Sequence, residues 1–165
     1  MIPTLTTRRL TLRPYRIEDF PAYRDFVTSD RARFMGGPHP DATAWAWFCN
    51  DTASWALYGF GGLMIEAEGA PVGCVTVTQG PDFPEPEIGW FLFEGNDGEG
   101  YATEAARAFY ALLAPRLPSL VSYVDAANTR AIRLAERLKA VPDPDAATPN
   151  GDPCLVYRYD VGTAA

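Results

Sequence analysis

Two periodicities of apolar residues alternate along the chain and predict its strands and helices. In LTLRPY, Leu10 and Leu12 point to one side and Thr11 and Arg13 to the other, a pattern typical of a half-buried strand that ends at Pro14. The stretch IEDFPAYRDFVTSD has apolar residues at helical spacing instead. The same patterns predict a helix in ATAWAWFCNDTASWALYG, two strands around the turn 68–71, a strand in EIGWFLFE, a helix from Tyr101 to about Ala114, a strand in SLVSYVDA, a helix in NTRAIRLAERLKAV and a closing strand in CLVYRYDV.

The order of these elements predicts the fold class. A strand and two helices precede a run of strands, and the chain then continues helix, strand, helix, strand, which predicts an α/β fold with a mixed sheet and helices on its faces. Asp19 is expected to cap the first helix, and Pro21 fits its first turn. With 165 residues and no internal repeat or long linker, one domain over residues 1–165 is expected.

The composition limits the kinds of ligand that the protein is expected to bind. A formal net charge of −7 argues against binding of nucleic acid and is compatible with amine substrates. Cys49, Cys74 and Cys154 form no CxxC pair, and we interpret them as reduced, buried thiols. His39 has no His or Cys neighbour in sequence, so no metal site is predicted. No stretch has the length of a signal-peptide core or a membrane span, so a cytoplasmic protein without a membrane partner is expected.

The stretch EGNDGEGYATEAARAFY places three glycines before an alanine-rich helix and allows three interpretations. Gly98 and Gly100 supply the first two glycines of a dinucleotide fingerprint, with Asp125 as its ribose-binding acid, but Thr103 stands in place of the third glycine. The stretch is alternatively a plain connector between a strand and a helix. In the third interpretation it binds an anion, because the free amides and the dipole of a helix start hold phosphate without Lys or Arg.

The acids of this turn affect the third interpretation. Asp97 and Glu99 flank the candidate phosphate site, and no basic residue follows before Arg107. If both carboxylates point outward, the amides can still bind an anion, but each carboxylate repels it through solvent by on the order of 1 kcal/mol. Only modest affinity for an anionic ligand is therefore expected.

Four stretches together resemble the GNAT superfamily of acetyl-CoA-dependent N-acetyltransferases, in its RimJ/RimL-like branch. TRRLTLRPYRIEDFPAY resembles the opening strand and first helix, and EIGWFLFEGNDGEGYATEAARAFY resembles the central motif EIGYWL followed by Q/R-x-x-G-x-G/A. VSYVDAANTRAIRLAERL and CLVYRYD resemble the later strand, helix and closing strand. The resemblance covers nearly the whole chain. It implies the GNAT fold, with a mostly antiparallel sheet, helices on both faces and a splayed central strand, and it implies an N-acetyltransferase.

The resemblance also implies how acetyl-CoA, the cosubstrate, is bound. Backbone groups of the central strand pair with the pantetheine arm, and amides of the glycine turn hold the diphosphate. An Asn at the start of the later helix contacts the pantetheine region, although Asn is also a favoured helix cap. The residues thereby expected to bind acetyl-CoA are Phe91, Leu92, Phe93, Gly98, Glu99, Gly100, Tyr101, Ala102 and Asn128.

Acetyl transfer to an amine requires a group that takes up the amine's proton. Glu87 opens the central strand, where members of the family often carry an acid, and it is the candidate base. The competing interpretation is a solvated acid at a strand end. Glu104, in the first turn after the glycines, is explained by its favourable interaction with the helix dipole. The acceptor is expected to be a protein N-terminus or a small amine, and the sequence is compatible with a monomer or a dimer.

The chain departs from the family pattern where a general acid is expected. Ala131 stands where Ser is frequent, and Ala135 lies near the place of a Tyr that protonates the leaving thiolate in many members. Tyr123 and Tyr157 are alternative donors. A thiol with a pKa of about 8.5 also leaves without an acid. These departures keep a second function open, that of a non-catalytic acyl-CoA-binding module.

Overall fold

The computed structural model describes residues 1–162. Its strands are β1 (Leu5–Thr6), β2 (Leu10–Arg13), β3 (Gly62–Ala67), β4 (Ala70–Thr78), β5 (Glu87–Leu92), β6 (Val121–Val124), β7 (Val141–Pro142) and β8 (Leu155–Arg158). Its α-helices are α1 (Phe20–Val27), α2 (Asp41–Tyr58), α3 (Tyr101–Leu113) and α4 (Thr129–Arg137), with short 3₁₀ segments at Ile17–Asp19, Asp30–Met35, Ala114–Arg116 and Pro149–Gly151. Within residues 1–162, no helix is long and apolar enough to cross a membrane.

The strands form one sheet in the order β1-β2-β3-β4-β5-β6-β8-β7. Every neighbouring pair is antiparallel except β5 and β6, which are parallel. β4 and β5 stay in register from Gly73↔Leu92 to Thr78↔Glu87, whereas β5 and β6 pair only at Glu87↔Val121. The two strands therefore diverge after Glu87. We call the space between residues 88–92 and β6 the wedge, and it confirms the predicted splayed strand in a mixed, mostly antiparallel sheet.

Each face of the sheet carries its own helices and its own core. On one face, α3 and α4 cover a cluster that includes Leu12, Ile88 and Phe109. On the other face, α1 and α2 cover a cluster that includes Phe26 and Phe91. Successive strand residues point to opposite faces, so β5 contributes to both clusters. The helices predicted from apolar spacing are confirmed on both faces.

Two residues near the start of the chain differ from expectation: Arg13, placed by the alternation on the outer face of a half-buried strand, and Asp19, expected to cap the first helix. Arg13 is buried, and its guanidinium lies 2.8 Å from the Asp19 carboxylate and 2.7 Å from that of Glu66. Asp19 gives α1 itself no side-chain cap, but its carboxylate accepts a hydrogen bond from the Arg16 amide at 2.8 Å and so takes part in a capping box at the start of the preceding 3₁₀ segment. The reason is that a buried cation requires carboxylate partners, and local periodicity carries no information about such partners.

The cysteines differ in their exposure. Cys74 is buried in the sheet, Cys154 is half-buried and Cys49 is exposed, and all three are free thiols. The interpretation as buried thiols is therefore right for Cys74 and wrong for Cys49. Cys49 lies on α2, where the helix turns a side toward solvent.

Candidate functional site

The edge of β5 that faces the wedge is set by its register with β4. The amide N–H of Phe93 donates to the carbonyl of Val72 at 2.9 Å. In an antiparallel pair, backbone groups of alternate residues point to the same neighbour. The backbone of Phe91 therefore also points to β4, whereas Trp90 and Leu92 direct their N–H and C=O groups into the wedge.

Side chains occupy part of this open edge. The hydroxyl of Ser122 donates to the carbonyl of Ile88 at 2.7 Å, where the wedge begins. At the other end, Nη2 of Arg31 donates to the carbonyl of Leu92 at 2.9 Å. Between them, the N–H and C=O of Trp90 have no partner on β6, because the parallel register ends at Glu87. The free backbone groups of the open edge thus belong to Trp90. The backbones of Phe91 and Phe93, which were expected to bind the cosubstrate, point to β4 instead.

The glycine turn leads directly from β5 into α3. Gly98 and Gly100 have φ angles of +87° and +79°, in the left-handed region that glycine adopts without strain. Within residues 1–162, the six amides from Gly98 to Thr103 have no hydrogen-bond acceptor. A Cβ atom added at Gly98 would meet nothing within 4 Å, and one at Gly100 would meet only Nη2 of Arg9, at 3.4 Å, so the space beside these two glycines is largely open. Free amides at the start of a 13-residue helix have the form of an anion site.

Arginines from distant parts of the chain surround this acidic turn. Asp97 lies 2.8 Å from Nη2 of Arg31 and 3.4 Å from Nη1 of Arg130, which is on α4. Nη1 of Arg9 donates to the backbone carbonyl of Glu99 at 2.8 Å. Exposed ion pairs of this kind add little to stability, but they cancel charge locally. Asp97 is therefore neutralised, and the repulsion expected from two carboxylates is reduced to that of Glu99.

Glu104 has a more specific role than the dipole interaction expected from sequence. Its carboxylate accepts hydrogen bonds from the Thr7 hydroxyl at 2.7 Å and from the Arg9 amide and Nε at 2.9 and 2.8 Å. Burial opposes ionisation here, but these hydrogen bonds outweigh it and lower the pKa of Glu104 to about 2. Glu104 therefore ties the segment before β2 to the start of α3.

Glu87 lies at the narrow end of the wedge, at the opposite end of β5 from the glycine turn. Its side chain is half-buried, and its Oε1 lies 3.4 Å from the amide of Tyr123, a long contact. Protein surrounds the carboxyl on most sides, and this burial raises its pKa to about 7, against a weak opposing effect of the Tyr123 amide. A carboxyl with this pKa can take up a proton near neutral pH.

Of the two candidate proton donors, only Tyr123 shares a face of the sheet with Glu87. Glu87 pairs with Val121, and Tyr123 follows two residues later on the same side. Tyr123 is half-buried, and its hydroxyl accepts a hydrogen bond from the Glu85 amide at 3.3 Å. Tyr157 is buried in the cluster under α3 and α4, on the other face.

A buried tyrosine that sequence analysis did not single out stands at the base of the wedge. The hydroxyls of Tyr159 and Ser122 lie 3.0 Å apart, and both residues are buried. Burial raises the pKa of Tyr159 to about 12. Together with the bond from Ser122 to Ile88, this pair holds the strands at the point where they separate. No local pattern in the sequence links the two residues, because they come from β6 and the chain after β8.

Asn128 caps α4, as one of its two interpretations predicts. Its side-chain oxygen accepts a hydrogen bond from the Ala131 amide at 3.2 Å. Its side-chain NH₂ group has no acceptor within residues 1–162, so the cap leaves it free for a ligand. The contact between Arg130 and Asp97 brings this helix start near the glycine turn, across the wedge.

A cavity of about 310 Å³ lies elsewhere, beside β8. It is lined by the loop 142–148 and by Cys154–Tyr157, with no residue of β5 or of the glycine turn. It is therefore not the wedge.

Comparison with known proteins agrees with this geometry. Residues 9–141 match the family described as acetyltransferase (GNAT) domain. No curated protein matches the sequence. Among solved structures, an acetyltransferase from Agrobacterium tumefaciens is 47% identical, with a TM-score of 0.90 over 96% of this chain and 95% of that chain. A GNAT-family protein from Bordetella pertussis is 26% identical, with a TM-score of 0.77 over 95% and 99% of the two chains.

A more distant neighbour shares the fold alone. RimL, a ribosomal-protein α-N-acetyltransferase solved in complex with coenzyme A, is 16% identical, with a TM-score of 0.74 over 95% of this chain and 96% of that chain. The chain belongs to the GNAT family of acetyltransferases, whose cosubstrate is acetyl-CoA.

Proposed function

We propose that the protein transfers the acetyl group of acetyl-CoA to a primary amine by direct attack, with Glu87 accepting the amine's proton. The observation that carries this proposal is the half-buried carboxyl of Glu87 at the narrow end of the wedge, with a pKa of about 7. A base works best when its pKa is near the working pH, because it is then both deprotonated and able to bind a proton.

The residues proposed to bind the cosubstrate follow from the free groups of the site. When bound, acetyl-CoA supplies the acetyl group as an activated thioester. The free backbone groups of Trp90, and the N–H of Leu92, whose carbonyl accepts from Arg31, are suited to pair with the pantetheine arm. The amides of residues 98–102 are suited to hold the diphosphate. The free NH₂ group of Asn128 adds a donor. This proposal replaces Phe91 and Phe93 by Trp90 as the main strand contact, since the amide of Phe93 is already bonded to Val72.

The remaining steps need a hydrogen-bond donor for the negative charge that develops on the carbonyl oxygen, and a general acid that protonates the leaving thiolate. The N–H of Trp90 is the free donor of the open edge, and such an amide stabilises negative charge on a carbonyl oxygen. Tyr123 is on the same face as Glu87, and its hydroxyl keeps its proton because burial raises its pKa. We assign Tyr123 as the candidate general acid. Ala135 cannot donate, and it is fully buried in the core.

The pKa of Glu87 favours one class of acceptor. A free α-amine titrates at about 8 and a lysine side chain at about 10.4. A base with a pKa of about 7 is better matched to the α-amine, so the proposal prefers a protein N-terminus or a small α-amine over a lysine side chain.

Thiol release from acetyl-CoA against a panel of amines tests the proposal. The panel contains peptides with a free N-terminus, N-terminally blocked lysine peptides and small amines. Release with a free α-amine that is lost in Glu87→Gln supports it. Binding of CoA without release for any acceptor would favour the non-catalytic module, which Ala131 and Ala135 make the second candidate. Absence of CoA binding would refute the proposed site itself.

A further inference from the structure

Arg31 occupies the mouth of the wedge although it lies far from β5 in sequence. It belongs to the 3₁₀ segment Asp30–Met35, whose start is capped by Ser29. Its Nη2 is 2.9 Å from the carbonyl of Leu92 and 2.8 Å from the carboxylate of Asp97. The guanidinium is therefore placed between the end of β5 and the glycine turn.

The hydrogen bonding of Arg31 is incomplete. Both of its contacts use Nη2, and its Nε is buried with no acceptor within residues 1–162. Three other arginines with carboxylate partners differ, since Nε of Arg9, Arg13 and Arg158 each donates to a carboxylate at 2.7 to 2.8 Å. A buried donor without an acceptor is unfavourable. A purely structural role leaves this donor unexplained, and about 32% of the side chain is exposed, which leaves it room to turn toward a ligand.

The charges next to Arg31 favour an anionic ligand. Asp97 is shared by Arg31 and Arg130, so two cations face this one carboxylate beside the free amides, and only the unpaired Glu99 of the turn opposes them. Arg9 does not add to this excess, because it is paired with Glu104. The anion of the cosubstrate that belongs beside these amides is its diphosphate, and a guanidinium binds phosphate oxygens through two parallel donors.

We propose that Arg31 is a ligand of the diphosphate of acetyl-CoA and supplies the basic side chain that the glycine turn lacks. Asp97 then has a positioning role, since it holds Arg31 and Arg130 at the mouth of the wedge in the absence of ligand. This inference rests on the proposed cosubstrate site, and it adds a binding residue from outside the turn.

Titration calorimetry with CoA tests the inference without reference to activity. Arg31→Met keeps most of the apolar stem and removes the guanidinium, and we expect it to weaken CoA binding about tenfold, as for loss of a charge-assisted hydrogen bond. The matched control is Arg33→Met, on the same 3₁₀ segment, where the side chain is 55% exposed and faces Asp30 at 3.8 Å. This control is expected to bind CoA within about twofold of the wild type.

Two further measurements separate a ligand from a structural role. Arg31→Lys keeps the positive charge but lacks the two parallel donors of the guanidinium, and it should recover part of the CoA affinity that Arg31→Met loses. The decrease in affinity from low to high salt should be smaller in Arg31→Met than in the wild type. The inference is overturned if Arg31→Met, folded by circular dichroism, binds CoA within about twofold of the wild type, or if its loss of affinity is equal at low and high salt. If the wild type itself does not bind CoA, the proposed cosubstrate site fails instead.

Discussion

The two edges of β5 show how one strand serves both fold and function. The edge that faces β4 is paired over the whole strand, while the edge that faces β6 is paired only at Glu87. The closed edge contributes hydrogen bonds and a tight approach between strands. The open edge offers unpaired backbone groups, with a carboxyl at one end and free amides at the other. The difference lies in the pairing and not in the composition of the strand, so changes at the two edges should have different consequences.

The largest expected effect is at the closed edge. A Cβ atom at Gly73 would collide with the carbonyl oxygen of Phe91, a backbone atom that cannot move aside. We expect Gly73→Ala to lower the free energy of unfolding by about 2 to 3 kcal/mol. At Gly89, across the same strand pair, a Cβ atom would meet only Thr76 Oγ1 at 3.6 Å, so Gly89→Ala is the control and should change stability by less than about 0.5 kcal/mol. Equal denaturation midpoints for the two variants would contradict this view of the closed edge.

At the open edge, Glu87→Gln should lower turnover about 10²-fold and leave CoA affinity nearly unchanged. The wild-type rate should rise with pH through about 7, because the carboxyl must lose its proton to act as a base. The variant should lack this rise near pH 7, and its rate should increase only as the amine itself loses its proton, at about pH 8 for an α-amine, so its deficit shrinks at high pH. Glu94→Gln, an exposed acid just after β5, is the matched control. A near-normal rate for Glu87→Gln at pH 7 would place the base elsewhere.

The glycine turn should respond through ligand affinity. Gly100→Val forces a β-branched residue to φ +79°, which reorients the first amides of α3, and we expect CoA affinity to fall about tenfold. Gly59 ends α2 with φ +78° and has nothing within 4 Å of an added Cβ, so Gly59→Val carries the same backbone strain away from the site. If both variants are folded and bind CoA equally, the turn is a plain connector.

The smallest effect concerns the two acids of the turn. Glu99 is exposed and its carboxylate is unpaired within residues 1–162, whereas Asp97 is paired with Arg31 and Arg130. Glu99→Lys should therefore tighten CoA binding several-fold at low salt and less at high salt, since each charge interaction is on the order of 1 kcal/mol. Asp97→Gln should not tighten it, although sequence alone predicts that it would. If Glu99→Lys binds CoA at low salt with the same affinity as the wild type, the diphosphate does not lie near this turn.

Much of the site could be predicted because it lies in one continuous stretch. Glu87, β5 and the glycine turn follow each other in sequence, and the apolar spacing after Gly100 locates α3. What could not be predicted depends on distant contacts. Arg9, Arg31 and Arg130 reach the turn from three separate elements, and nothing in their local sequence marks them as its neighbours.

The sequence also could not predict which residues of β5 direct their backbone groups into the wedge. Whether Phe91 or Trp90 directs its backbone into the wedge depends on the register with β4, and a shift of one residue exchanges the two edges. Likewise, the alternation that places Arg13 opposite Leu10 and Leu12 does not show that Asp19 and Glu66 meet it inside the protein.

Amide hydrogen exchange with and without CoA tests the central claim most directly, namely that the open edge of β5 and the glycine turn form the cosubstrate site. The account predicts that CoA slows exchange at Trp90 and at the amides 98–103, which have no hydrogen-bond partner within residues 1–162. The amide of Phe93, already bonded to Val72, should change much less. Protection confined to the cavity beside β8, or none at Trp90 and the turn under saturating CoA, would contradict it.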